Sequence, residues 1–210
     1  MFITLEGPDG SGKSSQIPVL AEWLRSQGYD VFTTREPGGT EIGNQIREIL
    51  LNKLENTAMH PRTEILLFLS SRAQLVEEVI RPLRDKGTII LCDRYADSTL
   101  AYQGYGHGVD LNDLRNLLDF ATGSLYPDLT LLLDLDVMSG LERRKKNGEE
   151  WNRLDAFTLA FHERVRNGYL ELAAASPSRW IKINGDQPFN EVQLALRKAI
   201  GTRLQIPATG

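Results

Sequence analysis

Residues 7–14 read Gly7-Pro8-Asp9-Gly10-Ser11-Gly12-Lys13-Ser14, followed by Ser15. The spacing fits G-x-x-x-x-G-K-[ST]. Such a loop does phosphate chemistry. Its backbone N–H groups cradle phosphate oxygens at a helix N-terminus. Lys13 adds a positive charge at the β- and γ-phosphates, and the Ser14 hydroxyl suits Mg²⁺. A glycine-rich turn could match by chance, but an apolar strand precedes this one and a helical pattern follows it. The motif points to ATP or GTP and says nothing of a second substrate. Asp9 stands out, because it puts an anion in the middle of a loop suited to phosphate.

Further candidates for chemistry lie at the ends of apolar runs. "TIILCD" and "LTLLLD" end in Asp93 and Asp134, and either suits Mg²⁺, directly or through water. For Asp134 a cap on the next helix is the plainer reading. Arg94 follows Asp93, which puts a metal-orienting carboxylate beside a phosphate-binding fork; a structural salt bridge is the plainer reading. "TREPGGT" carries Arg35 next to a tight Pro37-Gly38-Gly39 loop, suited to a phosphate or to a surface ion pair. In "FLSSRAQL", Phe68 and Arg72 stand four apart on one helix face. That pair could stack on and hydrogen-bond to a base, or be a core ring beside a surface cation. "LERRKKNGEEWNR" (141–153) is dense in positive charge: a solvated helix end, or a lid carrying arginines over a transferring phosphoryl group.

The elements that must position these residues alternate between strand and helix. Strands are expected at 2–6, 31–34, 88–92, 129–135 and 180–183. Helices are expected at 13–27, 41–52, 62–80, 96–103, 111–122, 137–147, 153–175 and 189–203. Ile42, Ile46, Ile49 and Leu50 should face inward from the second helix, and Leu66, Leu69, Ala73, Val76 and Ile80 from the third, which Pro82 and Gly87 close. This alternation predicts an α/β fold: a mainly parallel five-stranded sheet with helices on both faces, three layers in all. Ligands then bind at the carboxyl ends of the strands. A length of 210 residues suits one domain, 1–210, with a lid at about 142–153.

Net charge is −4, which argues against a partner as anionic as nucleic acid. The one cysteine, Cys92, sits in an apolar run and reads as core, with no intrachain disulfide possible. No run is apolar enough to span a membrane and "MFITLEG" does not read as a secretion signal, so a cytoplasmic location is expected.

Taken together, "EGPDGSGKSS", "TREPGGT", "LLFLSSRAQLV", "CDRYADSTLAYQGYG" and "YLELAA" resemble the thymidylate kinases, in the family's order from residue 6 to about 174. "DRYADSTLAYQG" with "REPGGT" is the specific part, since other kinases with this loop lack both. The resemblance implies a P-loop nucleoside-monophosphate-kinase fold, usually a homodimer. It implies transfer of the γ-phosphoryl of Mg·ATP to dTMP, giving dTDP and ADP. Lys13 and the loop, Gly7 through Ser15, would hold the ATP phosphates, with Ser14 and Asp93 at Mg²⁺. Arg35 and Arg94 would grip the acceptor phosphate, with Asp93 near the reacting oxygens. Phe68 would stack on thymine and Arg72 would address O4. Ser98, Thr99 and Gln103 would line the acceptor site, with Tyr102 under the deoxyribose. Asp9 would accept from the sugar 3′-hydroxyl.

The loop holds no arginine, and family members of that kind place their catalytic arginines in the lid. Arg153 matches that position, although Asn147 precedes Gly148 and "WNR" stands where "LDR" is usual. Arg144 is set beside it as catalytic, with Arg143, Lys145 and Lys146 as alternatives. Arg143 is also set against adenine, with "GDQP" (185–188) opposite. Two rivals remain. A deoxynucleoside kinase would leave Arg35 without a phosphate. A GTP switch would use "NKLE" (52–55) to read guanine, but that segment precedes the third strand and a surface loop explains it. The helices at 62–80 and 96–103 are the expected dimer contacts.

Overall fold

The computed structural model describes residues 1–51, 59–146 and 158–206. Strands β1 (Phe2–Glu6), β2 (Val31–Arg35), β3 (Ile89–Asp93), β4 (Leu129–Asp134) and β5 (Trp180–Asn184) form one sheet in the order β2-β3-β1-β4-β5. Every pairing is parallel. β1, β3 and β4 are covered on both faces, which is why their sequences are almost continuously apolar.

Helices α1 (Lys13–Ser26) and α9 (Phe189–Leu204) cover one face. Ile17, Leu20 and Leu24 of α1 and Leu196 and Ile200 of α9 pack there on Ile3, Leu5, Leu91 and Leu131. α3 (Pro61–Leu75), α6 (Leu111–Thr122) and α8 (Leu159–Ala175) cover the other face. Ile65, Leu69, Leu114, Leu118, Val165 and Tyr169 meet Phe2, Ile90, Cys92 and Leu132. Cys92 is core, as expected, and burial pushes its thiol up and away from nucleophilic chemistry. The chain leaves β1 for β2 on one side and reaches β4 and β5 on the other. The loops after β1 and β3 therefore open a crevice at their carboxyl ends.

The helices depart from expectation at four places. α2 (Glu41–Leu51) buries Gly43 and Leu50, while Ile42 and Ile49 are exposed, and Leu66 of α3 is exposed too. Pro82 does not end the third helix. α3 runs into a π-turn, Val76–Ile80, and on into α4 (Arg81–Asp85). The wide turn precedes a ring that would meet the carbonyl four residues back in a regular helix. The helix expected at 96–103 is one α-turn, α5 (Ala96–Thr99), continued by a π-turn from Leu100 to Gly106. Asp134 caps nothing: both its oxygens accept from Arg166 of α8, and Asp136 instead accepts from the Ser139 amide in α7 (Val137–Lys146).

Candidate active site

One cavity of about 1310 Å³ opens at the carboxyl ends of β1, β2 and β3. A single small-molecule site is roughly 300–1,000 Å³, so there is room for two ligands. The phosphate loop forms its floor. Asp9, Gly10, Ser11, Gly12, Lys13, Ser14 and Ser15 all line it, whereas Gly7 and Pro8 lie behind the wall. Their carbonyl oxygens accept from Lys13 Nζ at 3.0 and 2.9 Å, and Ser11 Oγ accepts at 3.2 Å. Burial and the Arg94 charge lower the Lys13 ammonium to about 8, against Asp93, Asp9 and Glu6, which raise it.

The strand register sets the second group. Asp93 of β3 stands opposite Arg35 of β2 and Leu5 of β1. Ser14 Oγ donates to Asp93 Oδ2 at 2.5 Å, so a hydroxyl and a carboxylate meet at the mouth of the loop. Arg35 is exposed to the cavity and makes no ion pair among the described residues.

Arg94 adopts a left-handed backbone, φ 68, uncommon for a residue with a side chain. Its Nη2 donates to Asp9 Oδ1 at 2.6 Å and to the Tyr102 hydroxyl at 3.1 Å, and Nη1 donates to Tyr169 and Ser98. The guanidinium also lies over the Tyr102 ring, 5.0 Å from its centre. Tyr102 donates to the other Asp9 oxygen at 2.6 Å. Asp9 thus turns from the loop amides toward the second half of the cavity. Burial would raise its carboxyl, but Arg94, Lys13 and the Tyr102 hydrogen bond hold it well below the usual range.

Phe68 and Arg72 line the same half, with Ser98, Thr99, Tyr102 and Gln103. Arg72 is 1% exposed. Its Nε and Nη2 lie 2.7 and 2.6 Å from Glu36 Oε2, Nη2 donates to the Tyr95 carbonyl at 3.1 Å, and Nη1 to Thr99 Oγ1 at 3.0 Å.

α7 closes the opposite side. Arg143 Nη1 donates to the Gly185 carbonyl at 2.8 Å and Nη2 to Asp186 Oδ1 at 2.9 Å, and Arg143, Gly185 and Gln187 all line the cavity. Arg144 is buried and lines it too, with a charge that reaches Asp9. Arg153 and the "NKLE" segment at 52–55 lie outside the described residues. Asp134, bound to Arg166, is not part of the cavity wall.

The sequence profile of the thymidylate kinase family matches residues 5–196. The chain belongs to the thymidylate kinase family. It is 50% identical to the thymidylate kinase of Roseiflexus sp. (strain RS-1), covering 96% of this chain and 92% of that one. It is 51% identical to that of Herpetosiphon aurantiacus, covering 86% of each. A crystal structure of thymidylate kinase from Ehrlichia chaffeensis superposes with a TM-score of 0.76 at 35% identity, covering 95% of this chain and 98% of that one.

For this thymidylate kinase family chain, four site residues escaped sequence reasoning. Arg47 of α2 lines the cavity and donates to the Pro37 carbonyl at 2.9 Å; burial and the Arg35 charge lower its guanidinium. Glu36 grips Arg72. Glu64 accepts from Gln103 Nε2 at 2.8 Å. Glu6, fully buried at the end of β1, accepts from the Tyr95 amide at 2.7 Å, Ser98 at 2.6 Å and Tyr169 at 2.9 Å. Burial and Asp97 push its carboxyl up to about 7, against Arg94 and the hydrogen bonds from Ser98 and Tyr169. The available signal was the charge itself: a glutamate closing an apolar strand must find donors.

Gly10 and Gly140 set how close α7 comes. A Cβ on Gly140 would lie 2.5 Å from the Asp9 carbonyl oxygen, and one on Gly10 would strike the Gly140 backbone. Gly140→Ala is therefore expected to push α7 off the loop, move Arg143 and Arg144, and lower kcat about 10²-fold. A steady-state assay giving kcat within twofold of the parent would contradict this.

Proposed function

We propose that the protein transfers the γ-phosphoryl group of ATP to the 5′-phosphate of dTMP, giving dTDP and ADP, and that one catalytic domain, 1–210, does so. The observation that carries this is a single cavity running from Lys13 and Ser14, past Arg35, Arg47 and Arg94, to Phe68, Arg72 and Gln103. It pairs a nucleotide-phosphate cradle with a second cationic cluster and an aromatic ring. A neutral 5′-hydroxyl would leave Arg35, which makes no ion pair among the described residues, without an anion to meet.

In this reading Lys13 and the loop amides hold the ATP phosphates, and Arg143 with Gly185 and Gln187 flanks adenine. Ser14 and Asp93 hold Mg²⁺; a hydroxyl beside a carboxylate suits a hard cation that takes few protein ligands and completes its shell with water and phosphate. When bound, the ion neutralises phosphate charge. Arg35, Arg47 and Arg94 hold the acceptor phosphate. Asp9 accepts from the 3′-hydroxyl, Tyr102 lies under the deoxyribose, Phe68 stacks on thymine and Arg72 donates to O4. Thr99 and Ser98 complete the wall. The protein thus contributes position and positive charge, which is most of what phosphoryl transfer requires.

Asp9→Asn keeps the shape and removes the charge. It is expected to raise KM for dTMP about tenfold and leave KM for ATP within twofold. Equal effects on both substrates would remove the sugar-binding role. Arg153 and Arg144 are the catalytic arginines of the lid in this reading. Arg153→Ala should lower kcat about 10²-fold with little change in KM, because its contacts tighten in the transition state. Unchanged kcat would leave Arg153 a solvated surface charge.

The protein is proposed to act in the cytoplasm as a homodimer. Among the described residues no helix is long and apolar enough to cross a membrane. The contact lies on α2, α3 and α6, where Ile42, Ile49, Leu66, Leu117 and Phe120 are exposed, Phe120 at 89%. The 96–103 segment, expected to contribute, is buried at Leu100, Ala101 and Tyr102. Light scattering giving twice the chain mass supports the dimer, and Phe120→Lys should then reduce it to the monomer.

The test of the acceptor is kcat/KM measured with ATP against dTMP, dUMP, dCMP, dGMP and AMP separately. The proposal predicts strong preference for the thymine nucleotide. Preference for a purine or for dCMP would overturn it.

A further inference from the structure

The base end of the cavity holds two polar side chains, each gripped from behind by a buried carboxylate. Arg72 carries five N–H groups. Two lie against Glu36, one goes to the Tyr95 carbonyl and one to Thr99, which leaves one N–H on Nη1. Gln103 sits in the π-turn, 2% exposed, and its Nε2 donates to Glu64 Oε1 at 2.8 Å. Glu64 comes from the first turn of α3, 39 residues away, and is also 2% exposed. An ionised carboxylate has no proton to donate. Only the NH₂ end of the amide can face it, so the oxygen end is the one left for the cavity that Gln103 lines.

We infer that Glu64 is a specificity-positioning residue: it locks the Gln103 amide with oxygen toward the base, so the site accepts a pyrimidine that donates at N3 and rejects one that accepts there. This rests on the reading that places the base between Phe68, Arg72 and Gln103. Arg72 offers a donor and Gln103 an acceptor. That pair matches a 4-oxo pyrimidine, with its C4 carbonyl and N3–H. It opposes a 4-amino pyrimidine at both positions, because cytosine places an amine at C4 and a lone pair at N3. Without the anchor, the amide can rotate and offer its NH₂ to cytosine N3. Arg72 could not adapt in this way, since a guanidinium has no acceptor. Discrimination at N3 therefore depends on what holds the amide, and that is Glu64.

The test is calorimetric binding of dTMP and dCMP to the wild-type chain, Glu64→Gln, Glu64→Asp and Gln103→Ala, with ATP binding as a control. Glu64→Gln is near-isosteric but can pair with Gln103 in either orientation. The expected result is a fall of about tenfold or more in the ratio Kd(dCMP)/Kd(dTMP), with ATP affinity unchanged. Glu64→Asp, which keeps the acceptor-only group, should retain most of the ratio. A ratio within twofold of wild type in Glu64→Gln, together with a collapsed ratio in Gln103→Ala, overturns the inference and leaves the base site standing. An unchanged ratio in Gln103→Ala overturns the base site and the inference with it. Independently of any variant, the Gln103 side-chain NH₂ resonances should exchange slowly with solvent with and without dTMP. Fast exchange in the free protein would also refute the anchor.

Discussion

Lys13→Ala is expected to lower kcat/KM for ATP by about 10³-fold or more while the fold survives. Loss of one preorganised charge at a reacting phosphate typically costs about 10²–10³ in rate. Here the loss is larger, because Lys13 also balances Asp9, Asp93 and Glu6, whose charges all bear on it. Without it, Asp93 at the mouth of the loop faces the incoming polyphosphate with no ammonium beside it. All three Lys13 N–H donors are held by Gly7, Pro8 and Ser11 in the free loop, so a bound phosphate must take over at least one of these bonds. The same group should shape the pH profile. Its free-enzyme value is lowered to about 8, so it is charged below that pH and neutral above it. Phosphate binds the charged form, so kcat/KM for ATP should hold steady below pH 8 and fall above it. Activity within tenfold of the parent in Lys13→Ala, or a profile flat to pH 9.5, would contradict the role.

Arg94→Ala should cost about 10³-fold in kcat/KM for dTMP, and Arg94→Lys nearly as much. Arg94 meets Asp9, Tyr102, Ser98 and Tyr169 at once, which a planar fork can do and a single ammonium cannot. Alanine also removes the guanidinium paired with Asp9, leaving Lys13, Arg144 and the Tyr102 hydrogen bond to offset its charge in part, which adds a stability loss of about 2 kcal/mol. The left-handed backbone at this position resists β-branched replacements but tolerates alanine and lysine at modest strain. The variant should therefore fold with a lowered melting temperature. The deciding readout is selectivity: KM for dTMP rises far more than KM for ATP. A lysine variant with wild-type KM for dTMP would show that Arg94 is only a structural partner of Asp9.

The phosphate loop was legible because all its parts are local in sequence and its flanks name the strand and helix that hold it. Asp93, Arg94 and Arg35 were legible because parallel α/β topology collects strand ends in one place, and the register puts Arg35 opposite Asp93. The carboxylates behind the site were not. Glu36 meets Arg72 across 36 residues, Glu64 meets Gln103 across 39, and Glu6 meets Tyr169 across 163. Glu6 alone carried a local signal, a charge closing an apolar strand; nothing local distinguishes Glu36 or Glu64, buried with distant donors, from a solvated glutamate. Arg47 was missed for a related reason, since its helix was read by its isoleucines. Ile42 and Ile49 face outward, and the Gly43–Arg47 side faces the Pro-Gly-Gly loop. The π-turn at Leu100–Gly106 is a backbone event that apolar spacing does not signal, yet it carries both Tyr102 and Gln103 into the cavity.

In this reading a phosphoryl group passes from ATP to a nucleotide that already carries a phosphate. The most direct measurement follows label from [γ-³²P]ATP and Mg²⁺ in the presence of dTMP or thymidine. Label is expected in dTDP when dTMP is offered and none in dTMP when thymidine is offered. Label passing from ATP to thymidine, or only to inorganic phosphate, would contradict it and leave the phosphate loop as the sole assignment standing.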